Sequence, residues 1–288
     1  MYKFTRIGTL MLVAVAGLVL AAPMPPASAA ISPAGIEYDI DFRQATPGQP
    51  RIEAFPPCGA TQVTVGSGVA GNGVTISELA PSIGIDTFFS ALGHVGFPNA
   101  TLQAVVACLP QAQLGSTTRV TTQFPPTSAV LHKGTVTCPA GFYSFGGGGY
   151  FVDAGGFRTS NTDFMTVNAP TPDGRGWAYA ARNNSVTDRL VVTARCAQSA
   201  SPRRDMLVQA STPSVNGQLV TANAICPSGW TAISGGIALI KADGTPSLGF
   251  ADISMPITNF INPAVGYTVH GRATDLGTST VARAQCVR

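Results

Sequence analysis

Six cysteines constrain this chain more than any other feature of its sequence, because they recur in three pairs. Opening cysteines stand at Cys58, Cys138 and Cys226, and closing cysteines follow at Cys108, Cys196 and Cys286. No CxxC pair occurs, so the spacing of a thioredoxin-like redox site or a zinc ribbon is missing. An even number of cysteines in an exported chain predicts disulfide bonds.

Residues 1–29 have the pattern of a secretory signal peptide. Lys3 and Arg6 precede an uncharged apolar run from Ile7 to Ala22, and Ala27-Ser28-Ala29 offers a small-residue cleavage site. The apolar run has about 16 residues, short of the ~20 that span a bilayer. We therefore expect a secreted, extracellular mature chain that begins near Ala30 and carries no transmembrane anchor.

Three tandem units of about 80 residues become visible when the chain is aligned on its cysteines. The segment Cys138-Pro139-Ala140-Gly141-Phe142 matches Cys226-Pro227-Ser228-Gly229-Trp230, and a glycine pair follows each at the same distance. The first unit is divergent, with Cys58-Gly59-Ala60-Thr61 at this place. The predicted boundaries are 38–109, 117–197 and 205–287.

The closing half of each unit reads as β-strand. An aromatic residue, Phe89, Trp177 or Tyr267, stands nineteen positions before each closing cysteine. Apolar residues then alternate up to the cysteine, as at Leu102, Ala104 and Val106, and a period of two indicates a strand. No convincing amphipathic helix follows the leader. The prediction is an all-β chain with four to five short strands in each unit.

The simplest disulfide pairing lies within units and joins each opening cysteine to its own closing cysteine. Each bond would close a long loop, worth about 4 kcal/mol in the chain-entropy model. A competing pairing joins neighbouring units, for example Cys108 with Cys138. The units could form a compact body with pseudo-threefold symmetry or a string of beads. Strand-like pieces in the linkers, at 119–124 and 206–210, favour the compact form.

The pattern of a CPxG-aromatic motif, a glycine cluster and a strand that ends in cysteine resembles tandem repeats of uncharacterised secreted actinobacterial proteins. The second and third units carry the likeness well and the first carries it loosely. The resemblance implies a β-rich exported module, and it brings no catalytic residue with it.

The charge balance of the chain argues against polyanionic partners. The 17 basic residues fall to 15 once Lys3 and Arg6 leave with the leader, against 14 acidic residues. A chain so close to neutral has no electrostatic footprint for nucleic acid or for an anionic membrane.

No motif predicts a catalytic centre, a cofactor or a metal site. Gly66–Gly71 fits GxGxxG, but Asn72-Gly73 follows where a dinucleotide site needs a helix, so a glycine-rich bulge or turn is favoured. There is no GxSxG elbow, and the three histidines stand in unrelated contexts. Asp39 and Asp41 are the closest carboxylate pair and are better explained as a solvated strand edge. Enzyme activity is disfavoured, although residues from distant loops could still assemble a site.

Four residues are candidate ligand contacts. His94, Arg182 and Arg272 each stand five positions after the aligned aromatic residue and could form a ring around a threefold axis. A tolerant, solvated edge position is the simpler explanation. Trp177 could stack on a sugar, but a position that holds Phe, Trp or Tyr favours core packing.

Three functions remain open. The first is a secreted or envelope-associated, non-catalytic binding module for carbohydrate, such as a cell-envelope glycan, or for an extracellular protein. The second is a structural or protective exported protein without a ligand. The third is an extracellular hydrolase, which predicts one unit that differs from the others by a cleft with clustered His, Asp or Glu of shifted pKa.

Overall fold

The structure is a computed structural model that describes residues 35–81, 89–159, 162–198, 205–214, 217–257 and 264–288. These ranges contain eighteen β-strands, a short 3-10 turn at Gln111–Gln113 and no α-helix. The predicted all-β class is therefore confirmed. The predicted signal peptide at 1–29 lies outside the described residues.

Each unit contributes six strands, more than the four to five expected. The first has β1 (Glu37–Gln44), β2 (Arg51–Ala54), β3 (Gln62–Asn72), β4 (Val74–Pro81), β5 (Phe89–Val95) and β6 (Thr101–Pro110). The second has β7 (Thr117–Phe124), β8 (Leu131–Thr137), β9 (Phe142–Val152), β10 (Thr162–Pro170), β11 (Gly176–Asn183) and β12 (Arg189–Gln198). The third has β13 (Asp205–Pro213), β14 (Val220–Ile225), β15 (Thr231–Lys241), β16 (Gly249–Pro256), β17 (Gly266–Ala273) and β18 (Thr278–Val287). The strand-like pieces at 119–124 and 206–210 are parts of β7 and β13, the first strands of their units.

Every sheet is shared between two units. Each combines the first, sixth and third strands of one unit with the fourth, fifth and second strands of a neighbour. The orders are β1-β6-β3-β16-β17-β14 for the 1–3 sheet, β13-β18-β15-β10-β11-β8 for the 2–3 sheet, and β2-β5-β4-β9-β12-β7 for the 1–2 sheet.

This exchange of strands closes on itself, because each unit shares one sheet with each of the other two. The third and fourth strands meet at the three junctions between units, at β3–β16, β15–β10 and β9–β4. A cyclic arrangement of three matching junctions is pseudo-threefold. The units therefore form one compact body, and the bead-like arrangement is wrong.

Glycines make these junctions possible. The tenth residue after each opening cysteine is Gly68, Gly148 or Gly236, in the third strand of its unit. A Cβ at Gly148 would overlap the carbonyl oxygen of Leu79 in the neighbouring unit, and one at Gly236 would overlap that of Asn168. The glycine cluster of the sequence therefore lets two backbones approach closely. Gly66–Gly71 lies within β3 and leads into no helix.

A β-bulge occurs at the same place in each third strand. The register slips at Val65, Phe145 and Ile233, the seventh residues after the opening cysteines. All three side chains are buried in one apolar cluster. Because each comes from a different unit, the cluster forms a core on the pseudo-threefold axis.

The disulfides have the intra-unit pairing: Cys58–Cys108, Cys138–Cys196 and Cys226–Cys286. In the first unit Cys58 follows β2 of the 1–2 sheet, while Cys108 lies in β6 of the 1–3 sheet. Each bond therefore ties together the two sheets to which its unit contributes. The cysteines and the aligned aromatic residues belong to one main core that runs through all three units.

Candidate binding cleft between the first and third units

Trp177 is a core residue and not a ligand contact. It is 2% exposed, so no ligand can reach its indole ring. The indole Nε1 donates a hydrogen bond to Oδ1 of Asn168 at 2.6 Å, and the ring packs over Gly147. Phe89 and Tyr267 are also buried at the matching places. The aromatic position serves packing, as its varying identity suggested.

The three aligned basic residues lie at matching positions of β5, β11 and β17. Their cross-strand partners in the fourth strands are Thr75 for His94, Phe164 for Arg182, and Phe250 for Arg272. The guanidinium carbons of Arg182 and Arg272 lie 5.5 and 5.2 Å from the centroids of those phenylalanine rings.

The two phenylalanine rings belong to different units and their centroids are 6.4 Å apart. The contact between the rings thus links two stacked pairs, Arg182 on Phe164 and Arg272 on Phe250, across two units. The first unit breaks the pattern, because Thr75 replaces the ring there.

A second β-bulge, in each fourth strand, distinguishes the third unit. The bulged residues are Ser77, Thr166 and Asp252. The Ser77 hydroxyl donates to the carbonyl oxygen of Leu92 at 3.1 Å, and that of Thr166 donates to Ala180 at 3.3 Å. Asp252 replaces these hydroxyl donors with a carboxylate, which accepts but does not donate.

Asp252 lies beside His270, which occupies the place of Leu92 and Ala180 on the next strand. Partial burial raises the pKa of the Asp252 carboxyl, and the charges of Arg272 and His270 oppose that rise. Sequence inspection missed this pair. Aligning the fourth strands on their bulges would have found it, but the bulges are not visible in the sequence.

The 1–3 junction is open where the other two are filled. Three matching register positions lie at each junction: Ala70, Ile253 and His270 at the 1–3 junction; Tyr150, Glu78 and Leu92 at the 1–2 junction; Ala238, Val167 and Ala180 at the 2–3 junction. The residues at the 1–2 and 2–3 junctions are all buried, and those at the 1–3 junction are partly exposed.

The connection between the third and fourth strands explains part of this difference. In the second unit it carries Arg158, which pairs with Glu78 of the first unit at 2.5 Å and lies over the ring of Tyr150. In the first unit it shrinks to a tight turn at Gly73, where φ is 68°. No segment from that connection therefore covers the 1–3 junction.

A cleft of about 410 Å³ results. Its lining includes the side chains of Asn72, Val74, Thr75 and Phe97 of the first unit and of Leu219, Asp252, Ile253 and His270 of the third. Phe97 is 54% exposed, and its ring lies against the bare backbone of Gly73. The cleft thus combines an aromatic wall and an aliphatic side chain with polar groups, which is the usual composition of a small-molecule site.

A smaller cavity of about 150 Å³ lies near the bulge core, lined by Val63, Thr117, Thr118, Arg119, Phe145 and Arg195. Arg195 is buried, and its Nη1 donates to the carbonyl oxygen of Thr64 in the first unit at 2.9 Å. This contact joins two units, so Arg195 has a structural role.

The other predicted polar groups have local structural partners. Asp41 accepts hydrogen bonds from the backbone N–H of Phe55 and from Nε of Arg43, and Asp39 accepts one from the N–H of Ile40. His132 is buried edge-on against Phe151. Within the described ranges no three His, Cys, Asp or Glu side chains are grouped as a metal site.

Neither a protein-family model nor a curated protein sequence matches this chain. In the part of the chain that the structure describes, no helix is long and apolar enough to cross a membrane. Three disulfides are typical of an extracellular or otherwise oxidising environment.

Proposed function

We propose that this chain is an exported, non-catalytic binding protein that holds its ligand in the cleft between the first and third units. One observation carries the proposal: three matching positions that are buried at two junctions are open at the third, and polar groups line the opening. A purely structural protein would gain stability by filling all three alike.

The composition of the cleft supports this function. At this bulge the first and second units carry a hydroxyl group that donates a hydrogen bond to the backbone. The third unit carries a carboxylate instead, and the partial burial of that carboxylate costs desolvation free energy. A residue that breaks the local pattern at a cost in stability is typical of a functional site. The predicted leader and the disulfides support an extracellular or envelope-associated location.

Blocking the cleft tests this function. Asn72→Trp introduces a bulky ring from an exposed position on the cleft rim, and Val186→Trp adds the same ring at an exposed site in the second unit. We expect the unmodified protein to bind a partner on glycan arrays, extracellular protein arrays or insoluble cell-wall material. Binding should be lost in Asn72→Trp and kept in Val186→Trp. No binding on any of the three materials, or equal binding by both variants, contradicts the proposal.

A second candidate function is hydrolysis, favoured by the raised pKa of Asp252 beside His270 in the cleft at the 1–3 junction. A carboxyl group with a raised pKa can act as a general acid. Polysaccharide, ester and peptide substrates test it. Turnover that Asp252→Asn abolishes and Asp39→Asn keeps would establish an enzyme, and no turnover by the unmodified protein rejects one.

A further inference from the structure

We infer that the ligand of the cleft is a neutral carbohydrate, bound once per chain through the Asp252 carboxylate and the Phe97 ring. This inference rests on the binding function proposed above and gives it a ligand class.

The Asp252 carboxylate is a hydrogen-bond acceptor at the bulge of β16. Among the described residues, none donates a hydrogen bond to it, although it is partly buried. Hydroxyl residues at the same bulge of the other two units use their side chains to bond the neighbouring strand. A partly desolvated carboxylate gains most from a ligand that supplies donors.

Charge limits the ligand to a neutral molecule. An anionic ligand would meet the negative charge of Asp252. A cationic ligand would meet the field of Arg272, which already acts on that carboxylate together with His270. Neutral hydroxyl groups donate to a carboxylate and bring no charge of their own.

The rest of the cleft fits a ring with both apolar and polar faces. The Phe97 ring is fixed on one side by the backbone of Gly73 and is 54% exposed, and Leu219 is 45% exposed nearby. The C–H face of a pyranose can pack on such a ring. Asn72 and Thr75 supply donors and acceptors for its remaining hydroxyls.

Among the described residues, the matching places at the other two junctions are filled. At the 1–2 junction the ion pair of Arg158 and Glu78 fills the matching place. At the 2–3 junction Val167, Ala180, Ala238 and Val281 form a buried apolar cluster there. One saccharide per chain is therefore expected, despite three units.

A saccharide array with three arms tests the ligand class. The arms are neutral mono- to hexasaccharides, uronic or sulfated oligosaccharides, and oligomers of glucosamine. Titration calorimetry with the best neutral saccharide then gives the stoichiometry. We expect binding in the neutral arm and a stoichiometry of one.

Point variants locate the site. Asp252→Asn and Phe97→Ala should each weaken binding by about tenfold or more, because each removes a main contact. Asp39→Asn, on the exposed face of β1, should leave the affinity unchanged. Circular dichroism confirms that each variant is folded. If one of the two cleft variants fails to fold, the affinities of the other variant and of Asn72→Trp still show whether the saccharide binds in the cleft.

The possible results separate this inference from the proposed function. Binding only in a charged arm, a stoichiometry of three, or neutral-saccharide binding that survives Asp252→Asn overturns the carbohydrate inference. A protein ligand that Asn72→Trp blocks, with no saccharide bound, also overturns it but leaves the binding function standing. If nothing binds, both are wrong.

Discussion

Trp177 and Asn168 form a buried hydrogen-bonded pair, with Nε1 and Oδ1 2.6 Å apart. At the matching places the first unit has two apolar residues, Phe89 and Leu79, which are also buried. The same position in the core is thus occupied by a polar pair in one unit and by an apolar pair in another.

Replacing Trp177 with Phe should lower the free energy of unfolding by about 1–3 kcal/mol, because Oδ1 of Asn168 stays buried without its donor. Urea unfolding followed by circular dichroism measures the change. The double variant Trp177→Phe with Asn168→Leu imports the pair of the first unit and should recover part of the loss. A double variant no more stable than the single one would contradict this account.

The glycine junctions give a second prediction. Gly148→Ala places a Cβ against the carbonyl oxygen of Leu79 in the neighbouring unit and should cost about 3 kcal/mol or more, because one backbone must move away from the other. Gly146→Ala is the matched control, since its nearest contact would be the carbonyl oxygen of Val65 at 3.3 Å. Thermal unfolding of both variants measures the loss of stability, which we expect to be larger for Gly148→Ala. Equal effects would mean that the glycines serve only chain flexibility.

Removing one disulfide should destabilise the whole body. Cys138 and Cys196 close a loop with a sequence separation of 58 residues. The double variant Cys138→Ala with Cys196→Ala should lose about 4 kcal/mol according to the chain-entropy model. Because every sheet is shared between units, the variant should still unfold in a single transition. Two separate transitions, measured by calorimetry, would show that the units are independent.

Asp252→Thr should stabilise the fold while it removes ligand binding. The new hydroxyl can bond the carbonyl of His270, as that of Thr166 bonds Ala180, which is worth about 1 kcal/mol. Chemical unfolding measures the gain, and saccharide titration measures the loss. A variant less stable than the unmodified protein at neutral pH would contradict the comparison between units.

The stability gain from Asp252→Thr should also depend on pH. The folded-state pKa of Asp252 is raised by burial, so the folded protein holds this proton more tightly than the unfolded chain does. As the pH rises from the ordinary aspartate range through the raised value, the unmodified protein therefore loses stability relative to Asp252→Thr. Above the raised pKa, the difference in the free energy of unfolding between the two proteins becomes constant. Unfolding of both proteins between acid and neutral pH measures it, and a difference that shrinks with rising pH would refute the assignment.

Local sequence patterns predicted the content of each unit but not how the units are joined. A period of two identifies a strand such as β6, and the cysteine pairs identify which strand ends meet. Neither pattern names a strand's partner across a sheet. Residues 69 and 254, paired in the 1–3 sheet, lie in different units, and nothing local to either indicates the other.

The candidate site was missed for a related reason. Asn72-Gly73 forms the tight turn between β3 and β4, and the shortness of this turn uncovers residues of another unit. Asp252 stands out only when it is compared with Ser77 and Thr166, and loops of unequal length hide that alignment. Arg272 was found because it stands at a fixed distance from the aromatic residue. The structure places it next to the cleft and not in its lining.

The sharing of strands between units also means that two of the three sheets can form fully only after the third unit has been synthesised. A chain that stopped after β12 would expose β3 along one side and β10 along another, each with unmet backbone groups, since their partners β16 and β15 come later. Such open edges pair readily with other chains. We therefore expect a chain that ends after the second unit to aggregate more readily than the whole protein. The same geometry allows a third unit supplied by another molecule to close the ring, which is the arrangement of a domain-swapped dimer.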